Sequence, residues 1–211
     1  MINEISKRLI SSLVLIPVSL FFIFKGSYYF NFFLITFFLI SSYEWFKLAK
    51  NKFLLSLGLT FLLITTYSAY LIRGSTQNEL LLFLFIILIC VTTDIGGYLF
   101  GNMFKGPKLT NISPNKTYAG SMGGYLLAII SAYLFITKFT IFKNDLKFII
   151  TIILISTISQ LGDLTISYFK RLYKKKNTGK LIPGHGGLLD RVDGIIFAIP
   201  FSFIIFEYLK I

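Results

Sequence analysis

The 211-residue sequence is poor in chemistry. It has one cysteine, one histidine, one tryptophan, five prolines and nine acidic residues. The lone Cys90 excludes a disulfide or a cysteine metal cluster within one chain. Charged residues make up 14% of the chain, where a soluble domain carries about a quarter. That excludes an ordinary soluble domain. Also missing are an internal repeat, a low-complexity linker and a polar stretch long enough for a second domain. What fills the chain is apolar: 55% hydrophobic residues, with 24 phenylalanines. Apolar runs approaching 18 residues read as membrane spans, since roughly 20 helical residues cross the hydrocarbon core. The runs are too long and too uniformly apolar for barrel strands, so only helices fit. The sequence therefore predicts an all-α, polytopic integral membrane bundle, one transmembrane domain over 1–211.

Seven spans are expected, roughly at 8–24, 27–43, 53–72, 79–100, 119–137, 147–168 and 194–210. The first two are parted only by Lys25, Gly26 and Ser27, which predicts a tight helical hairpin. The basic start with Lys7 and Arg8 resembles a signal peptide, but no small-residue cleavage site follows, so the segment reads as a retained span. The net charge of +12 suits loops that face anionic lipid better than nucleic acid. With the N-terminus inside, fifteen basic residues fall on inner segments and six on outer ones. This predicts a cytoplasmic N-terminus and puts the polar loops 101–118 and 169–193 together at the cytoplasmic face of the cell's inner membrane.

Two carboxylates do not belong in such a chain. Asp94 lies in CVTTDIGGYLF and Asp163 in ISQLGDLTISYFKR. A charge at membrane depth costs about 3 kcal/mol on insertion scales and usually faces a polar cavity. From Asp163, Ser167, Lys170 and Arg171 follow at offsets of four, seven and eight, so the four share one helical stripe. That stripe reads as one wall of a pocket for a cation and phosphate.

The loop then runs into LIPGHGGLLDRVDG, residues 181–194, which holds the only histidine, His185. Gly186 and Gly187 let backbone amides approach a ligand, and a helix expected to begin near Leu188 or Leu189 offers its N-terminus to phosphate. Asp190 and Asp193 are three apart and share a face. Two acids this close suit a hard divalent cation, Mg²⁺, with Asp163 as a third ligand from the neighbouring span. A bland alternative, charge complementing the helix dipole, explains one aspartate but not the set. In the loop 101–118, Lys116 is the cation best placed to reach a triphosphate, in ISPNKTYAGSMGG, with the next span opening at Gly120 or Ser121.

The 27 residues from Ser167 to Asp193, SYFKRLYKKKNTGKLIPGHGGLLDRVD, closely resemble the C-terminal signature of the phosphatidate cytidylyltransferases, the CDP-diacylglycerol synthases. QLGDL at 160–164, SPNKT at 113–117 and the run beginning at Asp94 resemble further motifs of that family. The likeness spans about 94–194, and the first three spans are similar only in being hydrophobic. The chain departs from the family where Asn177, Ile166 and Ala119 stand at commonly acidic positions. The division implied is N-terminal spans over 1–78 and catalytic spans and loops over 79–211.

The resemblance implies transfer of a cytidylyl group from CTP to phosphatidate, giving CDP-diacylglycerol and pyrophosphate in phospholipid biosynthesis. It implies Mg²⁺ as cofactor, with a second cation such as K⁺ left open, and CTP, phosphatidate and membrane lipid as partners, with a homodimer also open and no nucleic acid. It assigns catalysis to Asp163, Lys170, Arg171, His185, Asp190 and Asp193, with Asp163, Asp190 and Asp193 on metal. It assigns substrate binding to Asp94, Ser113, Lys116, Thr117, Ser167, Gly186, Gly187 and Arg191. The alternatives are a related membrane lipid nucleotidyltransferase or polyprenol kinase with another acceptor, and an ion-coupled transporter, which predicts inverted repeats that the sequence lacks.

Overall fold

The computed structural model describes residues 4–139, 146–184 and 186–209, with side chains described over 11–139, 146–184 and 186–207. The expected site residue His185 lies outside the described residues. The architecture is all-α: helices α1 (Glu4–Lys25), α2 (Ser27–Leu48), α3 (Lys52–Arg73), α4 (Gln77–Phe104), α5 (Tyr118–Phe139), α6 (Leu146–Leu172), the single turn α7 (Leu189–Val192) and α8 (Ile195–Leu209). Each expected span coincides with one helix. Three boundaries differ. Helix α5 opens at Tyr118, before Gly120, because the Thr117 hydroxyl accepts the Gly120 amide and caps it. The helix after the glycine loop breaks at Gly194, and α2 continues through Glu44 to Leu48.

Among the described residues, α3, α4, α5 and α6 are long and apolar enough to cross a membrane. Ser11–Lys25 and Ile195–Glu207 are apolar but shorter. Helix α2 has the length, 22 residues, but Asn31, its tyrosines, Ser41, Ser42 and Glu44 dilute its apolar character. Four of the seven expected spans are thus, among the described residues, long and apolar enough to cross a membrane.

Residues 25–27 form the predicted hairpin, with Gly26 at φ 64°. The buried Arg73 guanidinium closes that end, donating through Nε to the carbonyl of Ile23 at 2.8 Å and lying over the Phe30 ring. At the same end Thr76 and Glu79 form a reciprocal cap on α4. The core above it gathers Phe30, Ile72, Phe83, Phe85, Ile89 and Ile152. A second apolar cluster, nearer the opposite end, joins Trp45, Leu48, Leu62, Ile166, Leu189 and Ile196.

Two packing devices bring the polar residues together. Helices α4 and α5 pack most intimately; a Cβ on Gly96 would meet the carbonyl oxygen of Gly123, so only hydrogen fits. Helices α6 and α8 are drawn together by Gly162, where a Cβ would press on the Asp193 carbonyl and Phe197. Helix α8 also contains Pro200, which leaves the carbonyl of Ile196 without its helical donor. The buried Thr65 hydroxyl on α3 supplies that donor at 2.9 Å.

Candidate active site

At one end of the bundle lie the C-termini of α2, α4 and α6, the N-terminus of α5, and the loops 105–117 and 173–188. Contacts tie them together. Ser11 on α1 donates to the Pro183 carbonyl at 3.3 Å. The Lys175 ammonium donates to the carbonyl of Lys47 at the end of α2. The two polar loops therefore share one end, as the charge asymmetry predicts.

Loop 105–117 folds back on itself. The Leu109 amide donates to the Lys116 carbonyl at 2.7 Å, and the Tyr118 amide to that of Pro107 at 3.2 Å. This aims the Lys116 side chain across to α6, where its ammonium forms an ion pair with Asp163. Beside the pair is a cavity of about 330 Å³ whose lining includes Asp94, Ser113, Lys116, Thr117, Gln160 and Asp163. That is at the small end of the roughly 300–1,000 Å³ typical of ligand pockets. The Gln160 amide oxygen accepts from Ser121, which fixes the orientation of its side chain. Five residues singled out in the sequence, Asp94, Ser113, Lys116, Thr117 and Asp163, thus meet in one cavity.

Asp193 joins this group from the turn between α7 and α8, its carboxyl within hydrogen-bonding reach of Asp163. Burial, followed by the nearby Asp163 carboxylate, pushes the Asp193 carboxyl well above the usual carboxylate range, and the Lys170 ammonium offsets part of this. Ser167 donates to Asp163 at 3.3 Å, so the upper half of the expected stripe forms. Its lower half divides. Lys170 pairs with Asp190 at 2.9 Å, while Arg171 is exposed and donates to the carbonyl of Lys175 at 3.2 Å.

The glycine loop departs from expectation. Asp190 does not join Asp163 and Asp193. Its Oδ1 accepts from Lys170, and its Oδ2 accepts from the amides of Thr178 at 2.8 Å and Gly187 at 2.9 Å and from the Thr178 hydroxyl at 3.1 Å. Four donors on one carboxylate make it the brace of its own loop. Among the described residues, no three His, Cys, Asp or Glu side chains form a metal-holding group. The expected three-carboxylate set is therefore not assembled. The amides expected to face phosphate are also engaged: Gly186 donates to the Ile182 carbonyl, at φ 94°, and Gly187 to Asp190. Arg191 is exposed.

The sequence reading missed Glu44. This carboxylate on α2 is 1% exposed. It accepts the Leu188 amide at 2.8 Å, the Leu189 amide at 2.9 Å and the Thr178 hydroxyl at 3.1 Å. The signal was available, an acid at the end of an apolar segment, one of nine in the chain. The departure at Ile166 also acquires a physical meaning. Its side chain is buried against Trp45, Leu189 and Ile196, where a carboxylate would be desolvated without a partner.

Asp163 and Asp193 together offer hard oxygen ligands, a donor set that suits Mg²⁺, which commonly takes one or two carboxylates plus substrate phosphates.

The model of the Cytidylyltransferase family matches residues 52–209, from α3 to α8. A phosphatidate cytidylyltransferase of Rickettsia felis is 35% identical over 213 residues, covering 96% of this chain and 92% of its own length. One of Staphylococcus epidermidis is 36% identical over 167 residues, covering 77% of this chain and 64% of its own. One of Brucella suis is 36% identical over 142 residues, 67% of this chain and 52% of its own. The chain thus spans about half the length of the Brucella relative. The family match contains every described residue of the cavity and of the Asp190 brace, and the Rickettsia alignment runs nearly end to end, so the chain belongs to the cytidylyltransferase family.

Proposed function

We propose that this chain transfers the cytidylyl group of CTP to phosphatidate, releasing pyrophosphate and leaving CDP-diacylglycerol in the membrane. The observation that carries the reading is the meeting of Lys116, Asp163, Asp94 and Asp193 at the end of an apolar bundle, beside the loop that bears the signature. The names of the relatives support the same reaction.

The reaction needs no strong base. A phosphate monoester has its second pKa near 6, so the attacking oxygen is already anionic at neutral pH. That oxygen forms a bond to the α-phosphorus of CTP as the bond to the β-phosphate bridge breaks. The difficulty is bringing two polyanions together and balancing the charge on the departing pyrophosphate. Lys116 and Lys170 supply fixed positive charge on either side of the carboxylates. Asp163 and Asp193 would hold Mg²⁺. When bound, that ion neutralises phosphate charge and orients the reacting groups. Ser113 and Thr117 offer hydroxyls to the nucleotide, and Asp94 orients Lys116. A site at the end of the bundle lets a lipid enter from the bilayer while a soluble nucleotide enters from water. On this reading that end faces the cytoplasm.

The test is turnover by the purified chain in detergent micelles with labelled CTP, phosphatidate and Mg²⁺. Lipid-linked product that requires all three supports the reading. Product only with another lipid acceptor would assign the chain a different substrate.

A further inference from the structure

Glu44 lies on α2, outside the segment matched by the family model. Its carboxylate nevertheless has all its described donors on the signature loop, 134 to 145 residues away. Between them, Glu44 and Asp190 receive three successive amides, those of Gly187, Leu188 and Leu189. The hydroxyl of Thr178 lies within reach of both carboxylates. The fit is close on the loop side as well: a Cβ added to Gly187 would press on Thr178 and Glu44, and one added to Gly179 would meet Glu44.

We propose that Glu44 is a positioning residue for the reaction: it anchors the first turn of α7 to α2 and so holds Asp190 against Lys170 and Asp193 against Asp163. The physical reason is reciprocal need. A carboxylate this deeply buried is costly unless it is fully hydrogen-bonded. The loop amides, in turn, have no partners in a regular helix, because the first amides of any helix lack them. Each side satisfies the other only when the loop is seated. Bonds to an ionised acceptor are about twice as strong as neutral ones, which suits a loop that must hold two aspartates in place. The Lys175 contact with the Lys47 carbonyl is a second tie from the same loop to the same helix.

The inference rests on the functional reading above, and its test separates the two. Glu44→Gln keeps one acceptor oxygen but turns an NH₂ group toward a backbone N–H. Hydrogen exchange of the peptide spanning 187–190, measured without substrate, should quicken by about tenfold or more, while peptides from α4 stay unchanged. Under the turnover assay kcat should fall by about tenfold or more with the KM for CTP within about threefold, since small misplacements cost rate before binding. Glu44→Asp, which keeps both oxygens, should retain more of the protection than Glu44→Gln. Wild-type exchange in Glu44→Gln overturns the inference, and so does quickened exchange with undiminished kcat. An inactive wild-type chain overturns the functional reading instead, and the exchange data then still decide whether Glu44 orders the loop. Should Glu44→Gln fail to fold, Glu44→Asp shortens the side chain by one methylene and draws the carboxylate back from the Leu188 and Leu189 amides. Faster exchange in the same peptide then supports the anchor, and unchanged exchange overturns it.

Discussion

Lys170 on α6 donates to Asp190 at 2.9 Å, and both side chains are largely buried. Removing one partner of such a pair leaves an uncompensated charge, a loss of about 3–5 kcal/mol when burial is complete. Lys170→Met should therefore lower the melting temperature in detergent clearly. The double variant Lys170→Met/Asp190→Asn, which leaves no unpaired charge and keeps an acceptor oxygen for the loop amides, should recover part of the loss while remaining inactive. A single variant that melts like the wild type would show that the pair contributes little.

Asp163 and Asp193 are expected to act in the chemistry, and Asp190 chiefly in shaping the loop. Asp163→Asn and Asp193→Asn should each reduce kcat by about a hundredfold or more without lowering the melting temperature appreciably. Asp190→Asn should reduce kcat as well, but with faster exchange in the 187–190 peptide, because its four donors lose a full acceptor set. Equal exchange in all three variants would contradict this division of roles.

The buried, raised Asp193 carboxyl gives a dependence on pH whose sign is fixed. The folded chain keeps a proton on Asp193 where the unfolded chain, with an ordinary aspartate pKa near 3.9, has lost it. Metal-free stability from this group is full at acid pH and falls as pH rises through the raised folded value. Asp193→Asn removes that loss, so its melting temperature should exceed the wild type's at alkaline pH, and the difference should shrink on acidification. Added Mg²⁺ should raise the wild type more than the variant. The reverse order would remove Asp193 from the proposed cation site.

The Thr65 hydroxyl and Pro200 make a separate test of the scaffold. Thr65→Val should cost about 1 kcal/mol, because the Ile196 carbonyl is left without a donor inside an apolar bundle. Pro200→Ala restores the helical N–H. In that background the cost of Thr65→Val should fall toward zero. An equal cost in both backgrounds would mean that packing, and not the missing amide, makes Thr65 matter.

These residues also mark what could be read from the chain alone. The helices were legible because an apolar run of membrane length has few other solutions, and each expected span falls on a helix. Asp94 and Asp163 were legible as charges in costly places and Lys116 as a loop cation able to reach phosphate, and the cavity brings them together. The partner of each charge was not legible. Asp190 and Asp193 share a face by spacing, yet α7 is one turn long, and the two carboxylates take different partners: Asp190 the Lys170 ammonium and the loop amides, Asp193 the Asp163 carboxyl. Of the glycine amides that look open to phosphate in sequence, Gly187 donates to Asp190 and Gly186 to the Ile182 carbonyl, and the neighbouring Leu188 amide is taken by Glu44, 144 residues away. Glu44 escaped notice because the expected second span ended at residue 43, one position short of it. Tertiary hydrogen bonding of this kind has no periodicity, so no pattern along the chain announces it.

Cytidylyl transfer beside the Lys116–Asp163 pair is the chemistry on which every proposed residue role depends. The direct measurement is Mg²⁺-dependent formation of labelled CDP-diacylglycerol by the purified wild type and by Asp163→Asn, each shown to be folded by its melting curve. The prediction is robust product from the wild type and at least about a hundredfold less from the variant. Comparable turnover by the two proteins would contradict it.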